Sequence, residues 1–344
     1  MVLRARSSKE TLNLLLPHLD QFGISRIADL TYLDNSTNIH VYAATRPSAK
    51  SITTSMGKGC TVEDAKCSAI IESIETHYAE EVLADIKNTS HNKLLEESHL
   101  VLNPNDIAGT IISNQYPIDW CFGTLFRSKK NVLIPHCLLS LDSNLIIPRL
   151  IGQNSNGIAS GNTFEEALTF SFWEIVERMS IYNKKNGFSI SKSFISSFID
   201  SSLIVNFYLH ENAFKLPVVS CQIQNKNLLE NTKVFSGYAC RSQMSEAIKA
   251  ALFEAIQTKI GIISGVRDDI ANDCYIFSGR SKILFDSIEP VLDHFAFDGM
   301  EKSYEEEFNN LEKLLQSSHY DLAYYSYRAN DLNVLKSFLV KNVS

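Results

Sequence analysis

Residues 161–178 read GNTFEEALTFSFWEIVER, and the same template occurs twice more. It appears upstream as GCTVEDAKCSAIIESIET at 59–76 and downstream as RSQMSEAIKAALFEAIQ at 241–257. In each copy an alanine (Ala65, Ala167, Ala247) precedes a glutamate by seven residues: Glu72, Glu174 and Glu254. Ten residues after the alanine stands Glu75, Glu177 or Gln257. The first two copies also share a glycine six before the alanine (Gly59, Gly161) and a threonine four before it (Thr61, Thr163). At 3.6 residues per turn, positions i, i+7 and i+10 share one helical face. Long helices are therefore expected over about 61–80, 163–185 and 245–262, each with a stripe of acid beside small residues such as Ser68. The small neighbours suit close approach to something bulky. The other face reads as core through Ile70, Ile71, Ile74 and Tyr78, and through Leu252, Ile256 and Ile260.

Around these helices the chain reads as strands. Residues 26–45 suggest two strands about a turn at Asp34-Asn35-Ser36, and 118–150, 202–224 and 232–240 suggest more. A short helix is expected at 92–97, and 301–344 should hold an acidic helix, a strand at Leu322–Tyr327 and one further helix or strand. The expected fold class is mixed α/β (α+β), one domain over 1–344. Its motif-bearing core spans about 20–290, with 291–344 completing the fold.

Composition narrows the function. A formal charge of −7, from 32 basic and 39 acidic residues, is the wrong balance for neutralising nucleic-acid phosphates. No apolar run suits a signal peptide or membrane helix, so a cytoplasmic protein is expected. Seven scattered cysteines without a C-x-x-C pair suggest neither a disulfide framework nor a zinc site.

Taken singly, each acidic stripe could be a solvated helix face, and Thr163 with Glu166 could be a capping box. Three copies at one spacing point to a shared cleft. Acids converging there repel unless a cation holds them, and magnesium with a polyphosphate supplies that charge. No G-x-x-x-x-G-K-[ST] sequence occurs. SMGKG (55–59), before the first helix, could cradle phosphate through its glycines with Lys58 reaching in, or could be a simple turn. Residues 159–162 before the second helix offer the same choice, with Asn162 and Glu166 four apart. Arg178 could neutralise phosphate or brace the acids, and Arg267-Asp268-Asp269 reads as a salt-bridged turn or a positioning element.

SMGKG (55–59), SAIIESIE (68–75), NGIASGNT (156–163) with EIVER (174–178), EAIQ (254–257) and SGVRDD (264–269) together resemble the successive motifs of YcaO proteins. GISRIADL (23–30) and Arg46-Pro47 fit the same pattern. The resemblance implies ATP and Mg2+ as cofactors, held by Ser68, Glu72, Glu75, Asn162, Glu166, Glu174, Glu177, Glu254 and Gln257. Of these, Glu72, Glu75, Glu166, Glu174, Glu177 and Glu254 would face metal, with Arg178 and Lys58 at the phosphates. It implies activation of a peptide amide by phosphorylation of its oxygen. An internal nucleophile then gives an azoline, and external sulfide gives a thioamide. It further implies a peptide or protein substrate, a homodimer, and a partner of the TfuA type or a ubiquitin-activating-enzyme-like leader-binding protein. Three positions depart from the pattern. Thr76 stands where arginine is usual, Ala159 where some members are polar, and the sequence closes on Val343-Ser344 without a proline-rich tail. The last favours thioamide over azoline. A catalytically degenerate scaffold that binds a peptide or partner, and an unrelated magnesium-dependent kinase or ligase, are the alternatives.

Overall fold

A computed structural model describes residues 2–108, 112–145, 153–188, 190, 192–226, 233–268, 302–329 and 332–341. Asp269, Cys274 and residues 146–150, the end of the stretch expected to hold strands over 118–150, lie outside them. The N-terminal part runs β1 (Val2–Leu3), α1 (Ser8–Leu15), a 3-10 turn (Leu16–Phe22), β2 (Arg26–Asp29), β3 (His40–Thr45), β4 (Thr54–Gly59) and α2 (Val62–Glu80). Next come β5 (Ile86–Ser90), α3 (His91–Glu96), α4 (Pro104–Ala108), β6 (Pro117–Leu125), β7 (Asn131–Pro135), α5 (His136–Leu139), β8 (Ile158–Gly161) and α6 (Phe164–Ser180). Then follow β9 (Lys185–Phe188), α7 (Lys192–Ser196), β10 (Leu203–His210), β11 (Val218–Asn225), β12 (Phe235–Cys240) and α8 (Met244–Ser264). The chain closes with β13 (Lys302–Ser303), α9 (Tyr304–Ser317), β14 (Tyr320–Ala329) and β15 (Asn333–Lys341).

The strands form a sheet β2-β3-β4, a sheet β12-β11-β10-β9, a larger sheet β5-β6-β14-β15-β8 with β7 on β6, and the pair β1-β13. The three expected long helices are α2, α6 and α8. Each follows an edge strand after a short connection: β4 leads to α2, β8 to α6 and β12 to α8. Thr61 and Thr163 cap the first two, their side chains accepting from Asp64 N–H and Glu166 N–H.

The small residues of the repeat have a different use from the one the sequence suggested. Ala65, Ala69, Ala167, Ala247, Ala251 and Ala255 are fully buried. They let each helix sit directly on the backbone of its own strand. A Cβ at Gly57 would lie 2.1 Å from Ala69 N and 2.2 Å from Ala65 O. One at Gly237 would lie 2.2 Å from Ala255 N, and one at Gly161 would meet Glu166 Cβ at 2.5 Å and Ala167 N at 2.6 Å. SMGKG, for which the sequence left a phosphate-cradling loop and a simple turn open, is neither. It is strand β4, paired along its length with β3, and its glycines admit α2. Residues 159–161 are likewise strand, in β8.

The opposite helical faces enter apolar clusters, as the periodicity required: Ile70 and Ile74 from α2, Leu168 and Phe172 from α6, and Leu252, Ile256 and Ile260 from α8. The turn after β2 is pinned from α8, where Lys259 Nζ meets Asp34 Oδ2 at 2.7 Å and donates to Ser36 Oγ at 3.0 Å. Of the six described cysteines, all free, five are buried and Cys60 is exposed.

Gly57→Ala and Gly237→Ala should each destabilise the protein by about 1–3 kcal/mol or more, because neither strand nor helix backbone can yield. Gly187, whose added Cβ would meet nothing closer than 3.7 Å, should accept alanine within about 0.5 kcal/mol. Equilibrium denaturation of the three variants checks the contrast.

Candidate active site

Three strand–helix units meet around one cleft, and each helix touches both its own strand and that of the next unit. α2 reaches β8, α6 reaches β12, and α8 reaches β4. The acids expected from the spacing lie along this ring. On α2, Glu75 Oε1 accepts from Ser160 Oγ of β8 at 2.6 Å, and the Met56 N–H of β4 lies toward Glu72. On α8, Glu254 faces Lys58 Nζ at 3.3 Å and accepts a long bond from Tyr238 N–H at 3.4 Å. Gln257 Nε2 donates to Met56 O at 2.9 Å. On α6, Arg178 Nε lies 3.6 Å from Glu177 and 3.9 Å from Glu174. Ser68 sits one turn before Glu72 on the same face of α2, half-buried.

Glu177 is buried and Glu72, Glu75, Glu174 and Glu254 are half-buried, and the electrostatics follow. Burial, with Glu72 nearby, pushes Glu75 up to about 8. Burial, with Glu177 nearby, pushes Glu174 up to about 8. Burial and Glu254 raise Glu177 to about 7, and burial raises Glu72 against the pull of Arg267 and Lys58. Burial opposes the charge of Arg178, yet Glu177 and Glu174 overcome it and hold its pKa above the ordinary value. Arg178 Nε is buried and makes no hydrogen bond. Behind Glu174, Lys336 is buried with Nζ donating to Asn154 O at 2.6 Å, and burial draws its pKa down to about 7.

Two expected site residues stand apart. Glu166 is fully buried, its Oε1 accepting from Ala5 N–H at 2.6 Å and its Oε2 from Asn162 N–H at 2.7 Å. Both oxygens are thus engaged by backbone N–H groups, neither of them the Thr163 N–H that a capping box would use. Asn162 is held at the same helix start, its Oδ1 accepting from Thr11 Oγ1 at 3.0 Å. Thr76 is buried and takes a bond from Arg46 Nη1 at 2.8 Å. Arg46 also pairs with buried Glu80, so an arginine at 76 would point at another guanidinium.

Other residues of the site escaped the sequence reading. Arg4 lies over the Phe170 ring at 3.7 Å and acts electrostatically on Glu166 and Glu75. Arg241 lies 5.4 Å from the centre of the same ring and acts on Glu177. Tyr238 completes the list, and the sequence marks Ser160 only as part of the 159–162 stretch, not as a partner of Glu75. Arg241 had left a mark in the sequence, since it stands six before Ala247, where the other copies have glycine. Arg4 had left none, because it enters from a segment remote from every repeat.

Desolvated acids, together with an orphan guanidinium N–H, fit a metal-bound polyphosphate. Among the described residues no three His, Cys, Asp or Glu side chains stand close enough to hold an ion by themselves.

Comparison with known proteins agrees with the geometry. The family model described as "YcaO cyclodehydratase, ATP-ad Mg2+-binding" matches residues 56–338. An uncharacterized protein encoded in the tfuA 3' region of Rhizobium leguminosarum bv. trifolii is 30% identical over 309 residues, which are 83% of this chain and 73% of that protein. The structure of YcaO from Methanopyrus kandleri, bound with AMPPCP and Mg2+, superposes with a TM-score of 0.76 at 18% identity, covering 98% of this chain and 91% of that one. A heterocyclase in complex with substrate and cofactor gives 0.71 at 17% identity, covering 98% of this chain and 52% of that one. At such identities the two structures speak for the fold.

A carboxylate whose folded pKa is raised binds more protons in the native than in the unfolded state, so its contribution to stability falls as pH rises. For Glu75 the window runs from the ordinary carboxylate range to about 8. In nucleotide-free protein, the stability advantage of the native chain over Glu75→Gln should therefore shrink steadily from pH 5 to pH 8. Thermal unfolding of the pair across that range checks the sign. A growing advantage would mean the site already stabilises the charged form.

Proposed function

The chain belongs to the YcaO family, and from that premise we propose that it uses ATP and Mg2+ to phosphorylate a backbone amide oxygen in a ribosomally made peptide or protein, with a thioamide as the favoured product. The observation that carries the reading is the ring of acids on α2, α6 and α8, desolvated at Glu75, Glu174 and Glu177, with the unbonded Nε of Arg178 beside it.

Glu72, Glu75, Glu174, Glu177 and Glu254 are the groups that would hold Mg2+ and the nucleotide. Bound ATP with Mg2+ supplies an electrophilic phosphoryl group for the amide oxygen. The protein's part is positioning and charge neutralisation. Lys58 and Arg178 sit where negative charge must be met, each at the edge of the acids. Arg4 brings a further cation from the N-terminal segment, over the Phe170 ring and acting on Glu75. Phe170 and Trp173 of α6 lie against Arg241.

In the favoured reaction, sulfide adds to the amide carbon, the resulting oxygen takes the phosphoryl group from ATP, and phosphate leaves as C=S forms. The Rhizobium relative's place beside tfuA supports a TfuA-type partner for delivery of sulfur or substrate. A leader-binding protein of the ubiquitin-activating-enzyme type is the other candidate partner, with azoline formation as its outcome. The protein would act as a homodimer in the cytoplasm. Among the described residues no helix is long and apolar enough to cross a membrane.

Calorimetry with Mg2+ and ATP should show binding that weakens by roughly 1.5–3 kcal/mol in Glu72→Gln and Glu174→Gln, the range for charge-assisted contacts. Arg4→Ala should weaken it as well while leaving the melting temperature close to native. Incubation with a candidate peptide, sulfide and a TfuA-type protein should then exchange oxygen for sulfur, whereas azoline formation would lose water. Mass spectrometry separates the two. A folded native chain that binds no nucleotide would sink the catalytic reading and leave a peptide-binding scaffold.

A further inference from the structure

Two polar side chains stitch consecutive units of the ring together, and both converge on the acid pair of α2. Gln257 crosses from α8 to the edge of β4, where Nε2 donates to Met56 O at 2.9 Å. The Met56 N–H in turn lies toward Glu72 and favours its charged form. Ser160 crosses from β8, giving Oγ–H to Glu75 Oε1 at 2.6 Å and its backbone N–H to the same carboxylate. Glu72 and Glu75 are thus aimed by donors on two neighbouring strands.

We propose that Gln257 and Ser160 are positioning residues that fix the Glu72–Glu75 pair before nucleotide enters, Gln257 acting through Met56 and Ser160 by direct bonding. The proposal rests on the reading that this pair holds the Mg2+–nucleotide complex. It explains why the third copy of the repeat carries an amide where the others carry acids. Glu75 meets a hydroxyl and an N–H, and Glu177 meets the Arg178 guanidinium, so each is opposed by donors. Residue 257 is opposed by a carbonyl oxygen. An amide can donate to it, while a carboxylate has no proton to give and would face it lone pair to lone pair. Gln257 is therefore reassigned from nucleotide contact to brace. Ser160 gains a role of the kind that outer-shell partners play, orienting a ligand group without touching the ion.

A ligand role and a positioning role predict opposite results for Gln257→Glu. An added acid facing the ion should tighten binding of Mg2+ with a non-hydrolysable ATP analogue. A lost brace should weaken it, by about tenfold or more on the scale of outer-shell substitutions. Ser160→Ala should weaken binding to a similar extent, and Ser160→Thr, which keeps the hydroxyl, should restore it. In nucleotide-free protein, hydrogen exchange at the Met56 amide should speed up in Gln257→Glu and in Gln257→Met. Tighter binding in Gln257→Glu, or native affinity in Ser160→Ala with unchanged Met56 exchange, would overturn the proposal. If the native chain bound no nucleotide, the parent reading would fail, while the exchange measurement would still decide whether Gln257 braces β4.

Discussion

Like charges held close together in a low-dielectric cleft repel, and that repulsion governs this protein. Glu72, Glu75, Glu174 and Glu177 all lie where burial penalises their charged form. A fold that only needed stability would place such residues in water. Here the helices that carry them also anchor the apolar clusters through their other faces, so the acids cannot withdraw without dismantling the core. The strain is met by donors on the strand edges and by Lys58 and Arg178 at the margin. A metal-bound polyphosphate completes what the chain leaves unbalanced.

The ring depends in turn on how closely strand and helix can approach. Glycine on the strand and alanine on the helix remove the side chains that would otherwise separate the two backbones. This brings the edge N–H of β4 within reach of Glu72 and that of β12 within reach of Glu254. Met56 precedes Glu72 by sixteen residues, as Tyr238 precedes Glu254, so one local device is used twice. Close packing inside a unit leaves the +7 and +10 positions to meet the next unit, where Ser160, Lys58 and Gln257 make the joins.

The N-terminal segment ties two of these units from outside. Ala5 bonds Glu166, Ser8 Oγ donates to Asp64 at 2.6 Å, and Thr11 donates to Asn162. It therefore spans the starts of α2 and α6 and carries Arg4 to Phe170. Glu166 thereby fixes the segment that carries Arg4.

The sequence by itself determined the three helices, their acid stripes and the family, because a period of 3.6 residues is a local property and a recurring spacing is visible without coordinates. It also located the turn at Asp34–Ser36 and the strands of the second half. It misread β4 and β8, since glycine in a short stretch before a helix looks the same whether it admits a phosphate or a neighbouring helix. Tertiary structure alone decided that Glu166 faces backbone, that Thr76 lies under Arg46, and that Arg4 and Ser160 belong to the site. Those contacts join residues 161, 30 and 85 positions apart for Ala5–Glu166, Arg46–Thr76 and Ser160–Glu75. Which side chains meet across such separations is set by how sheets and helices stack, and no periodicity along the chain encodes it.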